Sequence, residues 1–465
     1  MITGDTLQQW GFKPGRWFKD AIAAANRMRG EGRDDDAIFA ALQALAPVEI
    51  GMRTSGVPFA VLLDPETEAE RANLEAVVAH MDALMRVPTV RAGAVMPDAC
   101  PAGQAPGTIP VGGAVACEDA IHPGFHSADI CCSVAITVFK RQGDPKQLLD
   151  AVQASTHFGP GGRARMLETK GLADLVGQMD ANPFLKDLQN FAIGHFGSQG
   201  DGNHFAYVGH LKSSGQLALV THHGSRGLGA QIYKRGMAAA KRHKAIVAPR
   251  VPDHNAWIKA GSREGEHYWD ALQFARLWTR QNHYALHDLA AAATGNAIAD
   301  RFWNEHNFVF QQADGLFYHG KGATPSWKGF SPDDDGRTLI PLNMREPILI
   351  TGHRHNRQAL GFAPHGAGRN GSRTQHMRGR EAELQAELAA LSAAGLDIRS
   401  YCGVPDLSEL PSAYKSAPAV RAQIETYDLA EVTDEVRPYG SIMAGDWERD
   451  APWRKGKKAA GKRAR

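Results

Sequence analysis

Leu217-Ala218-Leu219-Val220-Thr221-His222-His223-Gly224-Ser225-Arg226-Gly227 is an apolar run that passes through two histidines into a glycine-rich turn. Such a run predicts a strand whose end is rigidly held yet accessible, the place where a scaffold presents chemistry. If the strand continues through the histidines, their side chains point to opposite faces, so at most one faces a given site. Working outward, short β-branched runs predict strands at Ala135–Phe139 and Ile348–Thr351. Between them lie helical patterns. Leu74, Val77, Val78, Met81, Leu84 and Met85 recur at helical spacing within Glu66–Val87, a segment that stops before Pro88. Leu384, Leu388 and Leu391 repeat the pattern in Glu381–Leu391. No Pro/Ser-rich linker divides the chain before its C-terminal tail, so one large mixed α/β domain is expected.

The composition bounds the function classes. With 465 residues and 43% hydrophobic content, the chain has ample material for a core, which excludes a wholly disordered protein. Its 49 glycines follow no three-residue period, which excludes a collagen-like chain. No apolar run approaches the roughly 18 residues a membrane helix needs, so no membrane partner is expected. Met1–Arg16 lacks an apolar stretch behind a basic region, the mark of a secretory leader. The five cysteines are odd in number and thinly spread, as in a reducing compartment, so a cytoplasmic location is expected. The tail Arg454–Arg465 carries seven positive charges and no acid, leaving the remainder of the chain net acidic. That tail reads as a solvated end, and any nucleic acid must be met by a local site in the body.

Four further segments carry the residue types of a metal or phosphate site. Asp129-Ile130-Cys131-Cys132 sets a carboxylate three residues from a thiol. Gly200-Asp201-Gly202-Asn203-His204-Phe205 places a histidine in a glycine-flanked turn. Phe317-Tyr318-His319-Gly320-Lys321-Gly322-Ala323-Thr324 places a histidine two residues before a lysine. Taken with His222, these offer a mixed O/S/N donor set of the kind zinc and other transition metals accept. Pro364-His365-Gly366-Ala367-Gly368-Arg369-Asn370-Gly371-Ser372-Arg373 formally contains G-x-G-x-x-G, but Ile348–Thr351 lies too far upstream to be the strand a dinucleotide site requires. What remains is a histidine beside uncovered backbone amides and two arginines. That combination suits a phosphate, with the imidazole as nucleophile or proton donor.

In this order and spacing, the motifs Asp129-x-x-Cys132, Gly202-Asn203-His204-Phe205, His222-x-Gly224-Ser225-Arg226-Gly227, His319-x-Lys321-Gly322-Ala323-Thr324 and His365-Gly366-Ala367-Gly368-Arg369 resemble the RtcB family of GTP-dependent RNA ligases. The resemblance runs from about Met96-Pro97-Asp98 to Arg437-Pro438-Tyr439-Gly440. It implies an α+β fold, a single large RtcB-like domain over 91–446 with a central binuclear metal cleft. A helical portion over 1–90 would pack on that core, and a basic tail would occupy 447–465. It implies that Asp129, Cys132, His204, His222 and His319 bind two Mn²⁺ ions, with Cys132 bridging them. By the same resemblance, His365 attacks GTP to form a histidine-guanylate. Asn203, Phe205, Asn343, Gly366, Ala367 and Gly368 line the guanylate pocket, and Arg226 meets RNA or phosphate. The implied partners are RNA 3′-phosphate or 2′,3′-cyclic phosphate ends and 5′-hydroxyl ends, including those of tRNA, with an archease-like activator.

The chain departs from the family pattern at Tyr207, at Leu342-Asn343, at Cys100 and at Ser441-Ile442-Met443-Ala444. The altered positions belong to the base-reading shell, which marks a divergent member. Two alternatives therefore stand beside ligation. One is a metal-dependent phosphoesterase acting on RNA ends or nucleotides, and the other is a non-catalytic protein that holds RNA ends.

Overall fold

Thr67 accepts a hydrogen bond from the Glu70 backbone while the Glu70 carboxylate reaches back to the Thr67 N–H, and this reciprocal cap starts the helix predicted before Pro88. In the computed structural model, which describes residues 1–15, 17–46, 50–101 and 107–447, that helix is the fourth. Helices α1 (Gly4–Gln9), α2 (Phe18–Gly30) and α3 (Asp35–Leu45) precede it and close around Ile2, Leu7, Ala25, Ile38 and Leu42, a cluster of their own. Helix α4 (Glu68–Leu84) buries Val77, Met81 and Leu84. The basic tail lies outside the described residues.

Two large sheets carry most of the rest, with two short two-stranded pairings beside them. Strands β1 (Val90–Cys100) and β2 (Val111–Cys117) belong to a five-stranded sheet. Strands β3 (Ser133–Phe139), β4 (Phe205–Leu211) and β5 (Leu217–His223) belong to an eight-stranded sheet. Strand β5 runs three residues beyond its apolar stretch and so includes both histidines. Helices α5 (Arg226–Val247) and α6 (Arg263–Thr294) follow. Strand β6 (Ile298–Glu305) joins the larger sheet, while β7 (Asn307–Gln311) and β8 (Phe317–Lys321) form a hairpin in the smaller one. Strands β9 (Arg337–Ile340), β10 (Ile348–His353) and β11 (Ala430–Met443) complete the larger sheet in the order β9-β10-β11-β4-β5-β3-β6, with Asp397–Ser400 alongside β11. The expected mixed α/β architecture is the one observed.

Helix α6 covers one face of the larger sheet and brings polar as well as apolar groups to it. Its Tyr268, Leu272 and Trp278 are fully buried, Tyr268 against Phe184 and Trp278 against Phe196. Its His283 lies 3.0 Å from Ser133 Oγ and 2.6 Å from Thr221 Oγ1, and His287 lies 2.8 Å from both Thr137 Oγ1 and Thr221 Oγ1. His223 stacks on His283 with ring centroids 3.5 Å apart. Strand alternation has thus sent His223 to the helix-covered face and His222 to the other. The two sheets meet at the loops leading into β3 and linking β6 to β7, and the site forms there.

Candidate metal centre

Cys131 takes φ +59°, and the Cys132 N–H closes back on the Asp129 carbonyl at 3.3 Å. This tight turn points the Asp129 carboxylate and the Cys132 thiol the same way. Gly224 lets the next chain approach: a Cβ there would lie 2.4 Å from Asp129 Oδ1. Register then aligns the imidazoles. Strand β5 pairs His222 with Phe205 of β4 on one side and with Val134 of β3 on the other.

The ligand atoms converge as two overlapping triads, Asp129–Cys132–His204 and Cys132–His222–His306, with the donor atoms of each within 4.8 Å of one another. Cys132 Sγ lies 3.5 Å from His204 Nε2 and 3.2 Å from His222 Nε2. His222 Nε2 is 3.2 Å from His306 Nε2. The far nitrogens of two rings are engaged: His204 Nδ1 lies 2.6 Å from the Gln199 carbonyl and His222 Nδ1 3.1 Å from that of Asn203. Each Nδ1–H donates to its carbonyl, which leaves Nε2 as a lone pair aimed at the thiol. Burial drives the His222 imidazole down to about 3 and His306 well below its ordinary value, so both are neutral donors at pH 7. Burial also raises the Cys132 thiol, with the nearby Asp129 charge adding to it. Burial raises the Asp129 carboxyl, but the neighbouring His204 and Cys132 more than offset this and bring it to about 2. A carboxylate, a cysteine sulfur and three imidazoles gathered at these distances match the donor chemistry of a transition-metal site, so the set fits metal binding. Gly224→Ala is expected to weaken metal affinity about 10- to 100-fold by pushing Asp129 aside, as a metal titration would show.

His319 does not join this group. Its Nε2 accepts the His122 N–H at 2.9 Å, its Nδ1 lies 3.2 Å from the Phe317 carbonyl, and its ring packs edge-on to those of His122 and Phe125. The expectation of His319 as a ligand is therefore corrected. The β7–β8 hairpin pairs His319 with Val309, away from the triads, whereas the bend joining β6 to β7 swings His306 into them.

His365 stands beside the centre, its ring 4.9 Å from that of His306. The buried carboxylate of Asp98 accepts the His365 backbone N–H at 3.0 Å and lies 2.6 Å from Nδ1, through the same Oδ2. Nε2 is thereby left as the open ring nitrogen. Gly368 allows this approach: it has φ +72°, and a Cβ there would lie 2.1 Å from the Asp98 carbonyl oxygen. Asp129, Cys132, His222, His306 and His365 line a cavity of about 300 Å³. Asn203, Phe205, Asn343, Gly366, Ala367 and Gly368 line the same cavity. Lys321, Arg369 and Arg373 bring positive charge to its wall, and burial lowers the Lys321 ammonium. Arg226 is set apart from the lining; it is mostly buried, and its Nη2 donates to the Gly159 carbonyl at 3.3 Å. His306 and Asp98 escape a reading of the sequence. Neither sits in a glycine-flanked turn, and Asp98 lies 267 residues from the ring it holds.

The family model described as tRNA-splicing ligase RtcB matches residues 163–444. The chain is similar to the tRNA-splicing ligase RtcB of Aeropyrum pernix, 26% identical over 52% of this chain and 58% of that protein. It is 32% identical to the RNA-splicing ligase RtcB2 of Escherichia coli over 48% of this chain and 58% of that one. The tRNA-splicing ligase RtcB of Thermococcus kodakarensis is 26% identical over 74% of this chain and 86% of its own length. The chain thus spans 58% of the length of the first two of these relatives. The matched segment contains His204, His222, His306 and His365, and with the converging donor set it places the chain: it belongs to the RtcB family.

Proposed function

We propose that this protein is an RNA ligase that joins RNA 3′-phosphate or 2′,3′-cyclic phosphate ends to 5′-hydroxyl ends through a histidine-guanylate formed from GTP. The observation that carries the reading is a donor set shared through one cysteine sulfur, beside an imidazole whose Nδ1 is tied to a buried carboxylate. Asp129, Cys132 and His204 would hold one Mn²⁺ and Cys132, His222 and His306 a second. When bound, such a pair offsets charge between two anionic reactants and aligns attacking and leaving oxygens. Asp98 accepts the Nδ1 proton of His365 and fixes the tautomer in which Nε2 carries the lone pair. His365 Nε2 attacks the α-phosphorus of GTP, and pyrophosphate leaves. A 2′,3′-cyclic end is first opened by water, which breaks the bond to the 2′-oxygen and leaves a 3′-phosphate; the RNA 3′-phosphate then displaces His365, and the 5′-hydroxyl displaces GMP. Asp98 also offsets the positive charge the ring acquires in the covalent state. Lys321, Arg369 and Arg373 offset phosphate charge along the wall.

Incubation with Mn²⁺ and α-labelled GTP, followed by denaturing electrophoresis, is expected to leave label on the protein. Absence of label with intact metal loading would contradict the reading. Asp98→Asn keeps the shape but offers an NH₂ group or a neutral oxygen to Nδ1. It is expected to slow labelling about a thousandfold or more while leaving metal content unchanged.

A further inference from the structure

The cavity has two chemically different ends. Across the antiparallel strands β11, β4 and β5 the register pairs Met443 with Phe205 and Phe205 with His222, and two residues along β4 it pairs Ser441 with Tyr207 and Tyr207 with Val220. The wall that starts at the metal group therefore continues along the sheet as Phe205, Met443, Tyr207 and Ser441, with Leu342 and Ile348 also lining it. Flat apolar walls of this kind suit the face of an aromatic base.

The hydrogen-bonding groups at this end are few. The Tyr207 hydroxyl turns away and donates to the Val436 carbonyl at 2.9 Å. Asn343 Oδ1 accepts the Arg345 and Glu346 N–H groups at 3.0 and 3.2 Å, which leaves its NH₂ to donate. Ser441 Oγ is buried without a partner. The two carboxylates lining the cavity are engaged elsewhere: Asp129 belongs to the metal group, and Glu409 is held by Arg369, Arg373 and the Tyr414 hydroxyl. The edge that distinguishes guanine, N1–H and N2–H₂, consists of donors and needs acceptors. Adenine offers ring nitrogens that accept.

We propose that this end of the cavity takes the base of an adenine nucleotide at least as well as that of a guanine nucleotide, with Ser441 Oγ–H and the Asn343 NH₂ donating to ring nitrogens. The inference rests on the reading of the cavity as a nucleotide site and names its substrate more closely.

Calorimetric titration of the full, Mn²⁺-loaded chain with AMP and GMP tests it. AMP is expected to bind as tightly as GMP or more so, and Ser441→Ala is expected to weaken AMP up to about tenfold while changing GMP less. A site built to read guanine would prefer GMP by about a hundredfold or more, and that result overturns the inference while leaving the ligase reading in place. Equal losses of AMP and GMP in Ser441→Ala would also overturn it, because Ser441 would then read neither base. Binding of neither nucleotide overturns the inference and the ligase reading together.

Discussion

His365→Ala is expected to abolish covalent nucleotide labelling and to lower RNA joining by at least about 10⁴-fold, the scale seen when a nucleophile acting within a unit is removed. No other imidazole can substitute. His306 is the nearest ring, but its Nε2 faces His222 within the metal group. The variant should fold, because the His365 side chain is only partly buried and its side-chain hydrogen bond is to Asp98, which keeps the His365 backbone N–H as a donor. Metal content should be unchanged, since His365 belongs to neither triad. The same variant separates ligation from simple hydrolysis. A phosphoesterase working through metal-bound hydroxide would keep part of its activity on RNA ends or nucleotides without the imidazole. Persistent labelling in His365→Ala would place the nucleophile elsewhere and contradict the mechanism.

The second large effect concerns two histidines that a reader of the sequence would rank the other way. His306→Ala is expected to remove one ligand from the Cys132–His222 side, to lower occupancy there, and to reduce labelling by about a hundredfold or more. His319→Ala should leave metal stoichiometry intact. Its cost is stability, because the buried His122 N–H loses its acceptor and the Phe125 ring loses a packing partner, together about 1–3 kcal/mol. Metal content measured beside thermal unfolding distinguishes the two outcomes. Lost metal in His319→Ala with His306→Ala unaffected would restore the original assignment.

The contrast shows what a sequence discloses and what it withholds. The β5 run was legible because alternation and a following glycine turn are local, and so was α4, whose start is set by Thr67 and Glu70. Asp129, Cys132, His204 and His222 could be singled out because each sits in or beside a turn whose residue types are unusual for a core. The structure brings these four together. His306 and His319 are 13 residues apart, one in the bend before β7 and the other within β8, and only the folded hairpin decides which reaches the centre. A glycine beside His319 suggested access, yet Gly320 packs against Phe362 and Ala323. The strand Phe362–Pro364 that delivers His365 has three residues, too few for a period-2 pattern to register. Asp98 could not be paired with His365 from sequence, because nothing local encodes a contact 267 residues away.

Everything in the proposed chemistry depends on Cys132 belonging to both triads. Electron paramagnetic resonance of the chain titrated with Mn²⁺ measures this directly. Two ions per chain with an exchange-coupled spectrum are expected, the coupling lost in Cys132→Ser. A single site, or two sites with uncoupled spectra indifferent to Cys132, would contradict the account.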